Sequence, residues 1–189
     1  MGAMVTRRIF NRIISQVEKV FCRNNIFLKF YGGITAKTIL KELSTVNLPA
    51  DANVLYIGCG SIPHTLIALA KMKTWKLTGI DKDSEAVEKA KEVVRKLAVS
   101  DRVKIEKGDG LEYNVSGYDL IIMDYCVEPR EKVLERLWKE ADPGTIILYR
   151  GPWEVLYIIY GRDKIPEWIP IKRVIYKPSL IKSLLIVKE

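Results

Sequence analysis

The chain has 189 residues, enough for one domain with a sizeable buried core. At 48% apolar and 29% charged it does not have the composition of a disordered chain, and no apolar run reaches the roughly 18 residues of a membrane span. A net charge of +8 leaves a nucleic-acid partner or an acidic small molecule open, but the lysines alternate with glutamates, as in Glu85 to Lys96. The same pattern describes the surface of a heat-adapted, thermophile-like protein, so nucleic acid is not the favoured partner.

Taken in chain order, Ile9, Ile13, Val17, Val20 and Phe21 predict a helix over 4–23, and a second helix is predicted over 34–43. Asn47-Leu48-Pro49-Ala50-Asp51 breaks the pattern. Strands and helices then alternate. Asn53–Ile57 is a short apolar strand, and Pro63–Met72 a helix with proline in its first turn. Lys76–Ile80 is a strand ending at Asp81, followed by a helix over Ser84–Leu97 with Ala86, Val87, Ala90, Val93, Val94 and Leu97 on one face. Val103–Glu106 and Tyr118–Met123 are strands, Glu131–Glu140 a helix, and Thr145–Tyr149 a strand running into Arg150. A short helix over Trp153 to Tyr160 precedes two late strands near Arg173–Tyr176 and Ser183–Val187, which pair as an antiparallel edge.

Such alternation predicts a doubly wound, mostly parallel α/β sheet of the Rossmann-like kind, with residues 51–189 as the core and 1–50 as a helical extension of the same single domain. Cys22, Cys59 and Cys126 form no CxxC pair and His64 stands alone, so a zinc site and a disulfide framework are not expected, and the expected setting is a reducing, cytoplasmic one. Ligands of such sheets bind beyond the carboxyl ends of the strands. There the sequence sets Gly58-Cys59-Gly60, Asp81, Gly108-Asp109-Gly110, Asp124 and Arg150.

Glycines at 58 and 60 let the backbone turn tightly and approach a ligand. Asp81, about 20 residues further on, is placed to accept from ribose hydroxyls. The third glycine of a dinucleotide fingerprint is absent, since Pro63 stands near its place, and there is no phosphate loop. A nucleoside without pyrophosphate fits better. Asp109, in its glycine pair with Gly110, can reach the exocyclic amine of an adenine.

The run VLYIGCG, GIDKDSEAVEKAK, KIEKGDG, YDLIIMDY and PGTIILYR resembles the class I S-adenosylmethionine-dependent methyltransferases. The resemblance implies S-adenosylmethionine as cofactor. The glycine turn would cradle its methionine part, with Tyr56, Gly58, Cys59, Gly60, Ser61 and Pro63 as binding residues. Asp81 would hold the ribose and Asp109 face the adenine, with Lys82 and Gly110 beside them as further cofactor-binding residues, and Asp124 would lie beside the reacting end. Two departures, Tyr56 for the usual acid and Ile62-Pro63 for a small residue, are similar to the nicotianamine synthase branch. Its aromatic-Ile-Gly-x-Gly-x-Leu-Pro-x-Thr turn is matched by Tyr56 to Thr65. Arg150, Leu156-Tyr157, Tyr176-Lys177-Pro178 and Ile181-Lys182-Ser183 extend the match. That branch moves the aminocarboxypropyl arm of the cofactor rather than its methyl. Its N-terminal glutamate acts on the attacking amine; Glu42 lies in the corresponding stretch, without being assigned that role.

The expected activity is transfer from S-adenosylmethionine. Methyl transfer to a small molecule comes first by family size, aminocarboxypropyl transfer onto an amine or amino acid is the specific alternative, and RNA methylation a further one. Candidate catalytic residues are Asp124, Tyr125 and Arg150. Asp124 either acts as base or amine-positioning carboxylate, or it only caps the rim. Arg150 either clamps a carboxylate or pairs with Glu154 or Asp124. His64 reads as a polar first-turn residue rather than a base, Tyr157 as core rather than substrate wall, and Cys59 and Cys126 as packing residues. No metal is expected. The sequence does not address oligomeric state.

Overall fold

The computed structural model describes residues 39, 41–44, 46–152, 157, 164–176 and 181–189. Seven strands among them form one sheet in the order β3-β2-β1-β4-β5-β7-β6. They are β1 (Asn53–Ile57), β2 (Lys76–Asp81), β3 (Val103–Lys107), β4 (Leu120–Met123), β5 (Ile146–Pro152), β6 (Ile171–Tyr176) and β7 (Ile181–Val187). The first five are parallel; β7 runs antiparallel between β5 and β6. Helices α1 (His64–Met72), α2 (Ser84–Lys96) and α3 (Arg130–Glu140) complete the alternation.

Side-chain alternation along the buried strands decides which layer each residue feeds. Val54 and Tyr56 face α1 and α2, together with Leu66, Leu69, Ala90 and Val93. Leu55 and Ile57 face α3, with Val133, Leu134 and Leu137. Helices therefore cover both faces, as the near-continuous apolar strands require. The Rossmann-like fold expected from the sequence is the fold observed. Among the described residues no helix is long and apolar enough to cross a membrane.

Element ends differ from expectation by a residue or two where local chemistry explains it. Pro63 is not in the first turn of α1 but just before it, at φ −76° and ψ 59°. The Asp83 side chain caps α2 by accepting from Glu85 N at 2.9 Å, and α2 closes at Leu97. Tyr118 lies outside β4, which begins at Leu120. The largest shift concerns β5. It does not stop at Tyr149 but runs to Pro152, because pairing with β7 continues through Arg150↔Ser183, Gly151↔Lys182 and Pro152↔Ile181. Arg150 is thus a strand residue with its side chain on the α1 face. The helix expected over 4–23 lies outside the described residues. Of the other two, residues 39 and 41–43 and Tyr157 are helical where described.

The strand order reverses between β1 and β4. A crevice opens at such a point, beyond the strand ends. The turn after β1 and Asp124 after β4 flank it.

Candidate functional site

The turn after β1 is held by its own backbone. Gly58 N and Cys59 N both donate to Ile80 O, at 2.9 and 3.0 Å. Gly58 and Gly60 have φ of +79° and +63°, the left-handed region that favours glycine. A Cβ at Gly58 would stand 2.7 Å from Val127 Cγ2, so the turn and the loop after β4 touch across the crevice. Ser61 Oγ is buried and has no hydrogen-bond partner among the described residues. Cys59 is buried under the turn, against Gly79. Pro63 O accepts from Ile67 N, opening α1. His64 is half-buried, with Nδ1 3.3 Å from Ile62 O, in the helix's first turn as expected.

Asp81 closes β2 and points back at this turn. Its Oδ2 accepts from Gly60 N at 2.9 Å and its Oδ1 from Asp83 N at 3.0 Å. Burial raises its pKa from 3.8, and the two backbone N–H groups work against that rise. Lys82 is exposed and reaches over the rim to Glu128 O at 3.2 Å. Asp109 is half-buried after β3 and its Oδ1 accepts from Leu111 N at 2.9 Å. Gly110 is buried where a Cβ would meet Ile57 Cγ2 at 3.0 Å and Val133 Cγ1 at 3.1 Å, so it lets the third loop pack under β1.

Asp124 follows β4, buried, with its N donating to Ile57 O. One carboxylate oxygen accepts from Tyr56 OH at 2.5 Å, the other from Cys126 N at 3.2 Å. Tyr125 and Cys126 follow, half-buried. Tyr56 is buried, and desolvation followed by the Asp124 charge pushes its phenol well above the ordinary tyrosine range. It therefore stays protonated and donates to Asp124.

Arg150 stands behind Tyr56, 3% exposed. It does not face an open clamp site. Its Nε and Nη2 make a two-point contact with Glu42, at 3.1 and 2.7 Å. Its Nη1 donates to Tyr56 OH at 3.2 Å and Thr65 Oγ1 at 2.9 Å, and lies 3.8 Å from Asp124 Oδ2. Ser183 Oγ donates to Glu42 as well. Burial alone would lower the arginine's pKa, but Glu42, Tyr56 and Asp124 raise it overall. A directed chain results, from Arg150 through Tyr56 to Asp124, in a setting where each buried polar group needs its partner.

Glu42, Thr65 and Ser183 were not among the residues singled out as the site. One signal was available for Glu42: it is an acid between the core positions Ile39 and Leu43. On the α3 face, Arg130 and Lys182 were likewise passed over. Arg130 Nε donates to Tyr149 OH at 2.9 Å and its Nη2 to Arg150 O at 2.8 Å. Lys182 Nζ donates to Tyr157 OH at 2.8 Å. Tyr157 thus presents a polar contact rather than serving purely as core.

The model of the family described as "Nicotianamine synthase protein" matches residues 34–189. The chain belongs to the nicotianamine synthase protein family. The solved structure of MtNAS in complex with MTA and tNA superposes with a TM-score of 0.85 at 19% identity, covering 99% of this chain and 75% of that one. At that identity the likeness is one of fold. An L-histidine 2-aminobutanoyltransferase of Pseudomonas aeruginosa is 30% identical over 86 residues, 43% of this chain and 33% of that protein. A protein-lysine N-methyltransferase of Saccharolobus islandicus is 25% identical over 112 residues, 59% of this chain and 70% of that protein. The chain spans about half the length of several other curated relatives. Family and fold together put it in the S-adenosylmethionine-dependent transferase superfamily, in the branch that the Tyr56–Thr65 turn resembles.

Proposed function

We propose that this protein transfers the aminocarboxypropyl arm of S-adenosylmethionine onto the amine of a small molecule, with an amino acid as acceptor class. The family match over residues 34–189 carries the reading. It reverses the order expected from the sequence, in which methyl transfer stood first. The relative named for 2-aminobutanoyl transfer to L-histidine supports an amino-acid acceptor.

The residues of the crevice fit this cofactor. Gly58 and Gly60 make a cradle that a Cβ would enter, and Ser61 brings a buried hydroxyl without a partner among the described residues. Each Asp81 oxygen takes one backbone N–H and keeps lone-pair capacity for a ribose hydroxyl. Asp109, at the next strand end, would serve the adenine amine. Bound there, the cofactor supplies a sulfonium that makes its neighbouring carbons electrophilic.

The chain's own part is alignment and charge. Asp124 follows β4 directly, at the switch point between β1 and β4. With Oδ2 held by Tyr56 OH and Oδ1 taking the Cys126 N–H, the carboxylate keeps lone-pair capacity with which it would accept an N–H of the attacking amine. Tyr56 fixes its orientation. Arg150 supplies a positive charge behind the carboxylate, and Glu42 balances the arginine. Arg150 is therefore a positioning residue in this reading, and Tyr125 a wall of the acceptor side.

Incubation with S-adenosylmethionine and a pool of the standard amino acids, resolved by liquid chromatography, tests the reading. Methylthioadenosine with a new aminocarboxypropyl adduct is expected. Formation of S-adenosylhomocysteine instead would establish methyl transfer and overturn it.

A further inference from the structure

The loop after β3, residues 108–113, carries Asp109 and is wound into a closed ring. Gly108 N donates to Asp81 O at 3.0 Å, so the loop starts level with the acid that closes β2. Asp109 O accepts from Glu112 N at 2.9 Å and Tyr113 N at 2.8 Å, while its Oδ1 accepts from Leu111 N at 2.9 Å. The Tyr113 ring returns over Gly108, where a Cβ would stand 2.7 Å from Cδ2, and its OH donates to Glu106 Oε2 at 2.6 Å. These bonds shape the ring and anchor its start to the strands. They leave Gly110 O and Tyr113 O to be satisfied from elsewhere.

That support comes from α3. Arg136 Nη1 donates to Gly110 O and Nη2 to Tyr113 O, both at 2.9 Å, and Glu140, one turn on, holds Nη2 at 2.6 Å. The arginine side chain is 13% exposed, so these charge-assisted bonds are largely shielded from water. Val133 lies one turn earlier on the same helix face and touches Gly110, where a Cβ would come within 3.1 Å of its Cγ1. One face of α3 thus gives the loop an apolar seat and a two-pronged polar one. A planar guanidinium with fixed donors spans two carbonyls three residues apart, whereas an ammonium is a point charge on a flexible stem. Of the Asp109 carboxylate, Oδ1 is engaged by Leu111 N, and Oδ2 accepts no hydrogen bond among the described residues. Where Oδ2 points follows from where the ring sits.

Resting on the reading of Asp109 as the acid that faces the adenine, we propose that Arg136 is a positioning residue for the cofactor: by seating the 108–113 loop on α3 it aims the Asp109 carboxylate at the exocyclic amine of the base. Arg136 acts through the loop, not by contact with the cofactor, and its effect is on base selectivity. An amine at that position of the purine donates to the carboxylate. A carbonyl oxygen there, as in hypoxanthine, sets acceptor against acceptor and loses the bond. A carboxylate held in place separates the two bases, and one that swings away does not.

Calorimetry on the full chain with methylthioadenosine and methylthioinosine as probes tests this, with circular dichroism recorded for each variant. Wild type is expected to bind the adenosine compound about tenfold or more tightly, the size of a hydrogen bond to a charged group. Arg136→Met is expected to lose most of that preference, through weaker binding of methylthioadenosine, and Arg136→Lys to keep part of it. Asp109→Asn should lose it as well. The double variant Arg136→Met/Asp109→Asn should lose no more than Asp109→Asn alone, because both changes act through one carboxylate. An undiminished preference in Arg136→Met, or equal weakening of both nucleosides, overturns the proposal and leaves the adenine role of Asp109 standing. No preference in wild type, or no binding of either nucleoside, overturns the placement of adenine at Asp109 and the proposal with it. If Arg136→Met does not fold, Arg136→Lys decides: a preference equal to that of wild type overturns the proposal, and a reduced one supports it. Release of S-adenosylhomocysteine in the product assay would change the group transferred without touching these outcomes.

Discussion

Glu42→Ala tests the buried network most directly. The side chains of Glu42 and Arg150 are 0% and 4% exposed, and their contact is two-pointed. Removing the carboxylate leaves a guanidinium in a low-dielectric setting with hydroxyls and a carboxylate at 3.8 Å as company. Breaking a buried pair in this way costs about 3–5 kcal/mol. For a chain of this length each kcal/mol lowers Tm by roughly 2–4 °C, so a fall of roughly 6–20 °C is expected. The pair itself is a different matter, because two desolvated charges gain little over well-packed apolar groups. Glu42→Leu/Arg150→Met should therefore recover much of the loss, though not all, since Tyr56, Thr65 and Asp124 each lose a partner with the arginine. Urea unfolding of Glu42→Leu, Arg150→Met and the double variant supplies the cycle, with unchanged m-values as the two-state check. A loss under about 1 kcal/mol in Glu42→Ala, or additive single effects, would refute the argument that burial makes this pair interdependent.

Two further outcomes follow from the turn. Gly58 and Gly117 share φ near +80°, but only Gly58 has a neighbour within reach of an added Cβ. Both alanine variants should lose about 1–2 kcal/mol of backbone preference, whereas only Gly58→Ala should also displace Val127 and abolish S-adenosylmethionine binding by calorimetry; equal binding in the two would refute the cradle. Asp81 has a folded pKa raised above 3.8 by burial. The native state then binds more protons than the unfolded state between those values, so stability falls as pH rises through that window. Cofactor affinity should move the other way, declining as acidification protonates the carboxylate. Asp81→Asn should lose both dependences, and a pH–stability profile identical to that of wild type would contradict the assignment.

Much of this protein was legible from residue order alone. Short apolar runs alternating with amphipathic stretches fix a parallel, doubly wound sheet, because only that arrangement covers both faces of strands such as Leu120–Met123. Glycines and acids placed just after strands mark the rim, since a strand end at the switch point is where backbone meets ligand. Tyr56 and Pro63, where a generic motif has an acid and a small residue, already point to the family that residues 34–189 match.

What the sequence left undecided depends on contacts between distant residues. Arg150 reads from sequence as a rim residue open to a ligand. Its burial is decided by β7, whose antiparallel pairing extends β5 past it and brings Ser183 alongside. Glu42 and Arg150 are 108 residues apart, and no local period links them. The same holds for Tyr56 with Asp124, and for Lys182 with Tyr157. Periodicity states which face a side chain takes. Which charges meet on that face is set by chain topology, and there the tertiary structure alone put the Arg150–Glu42 network on one face of β5 and the Arg130–Tyr149 contact on the other.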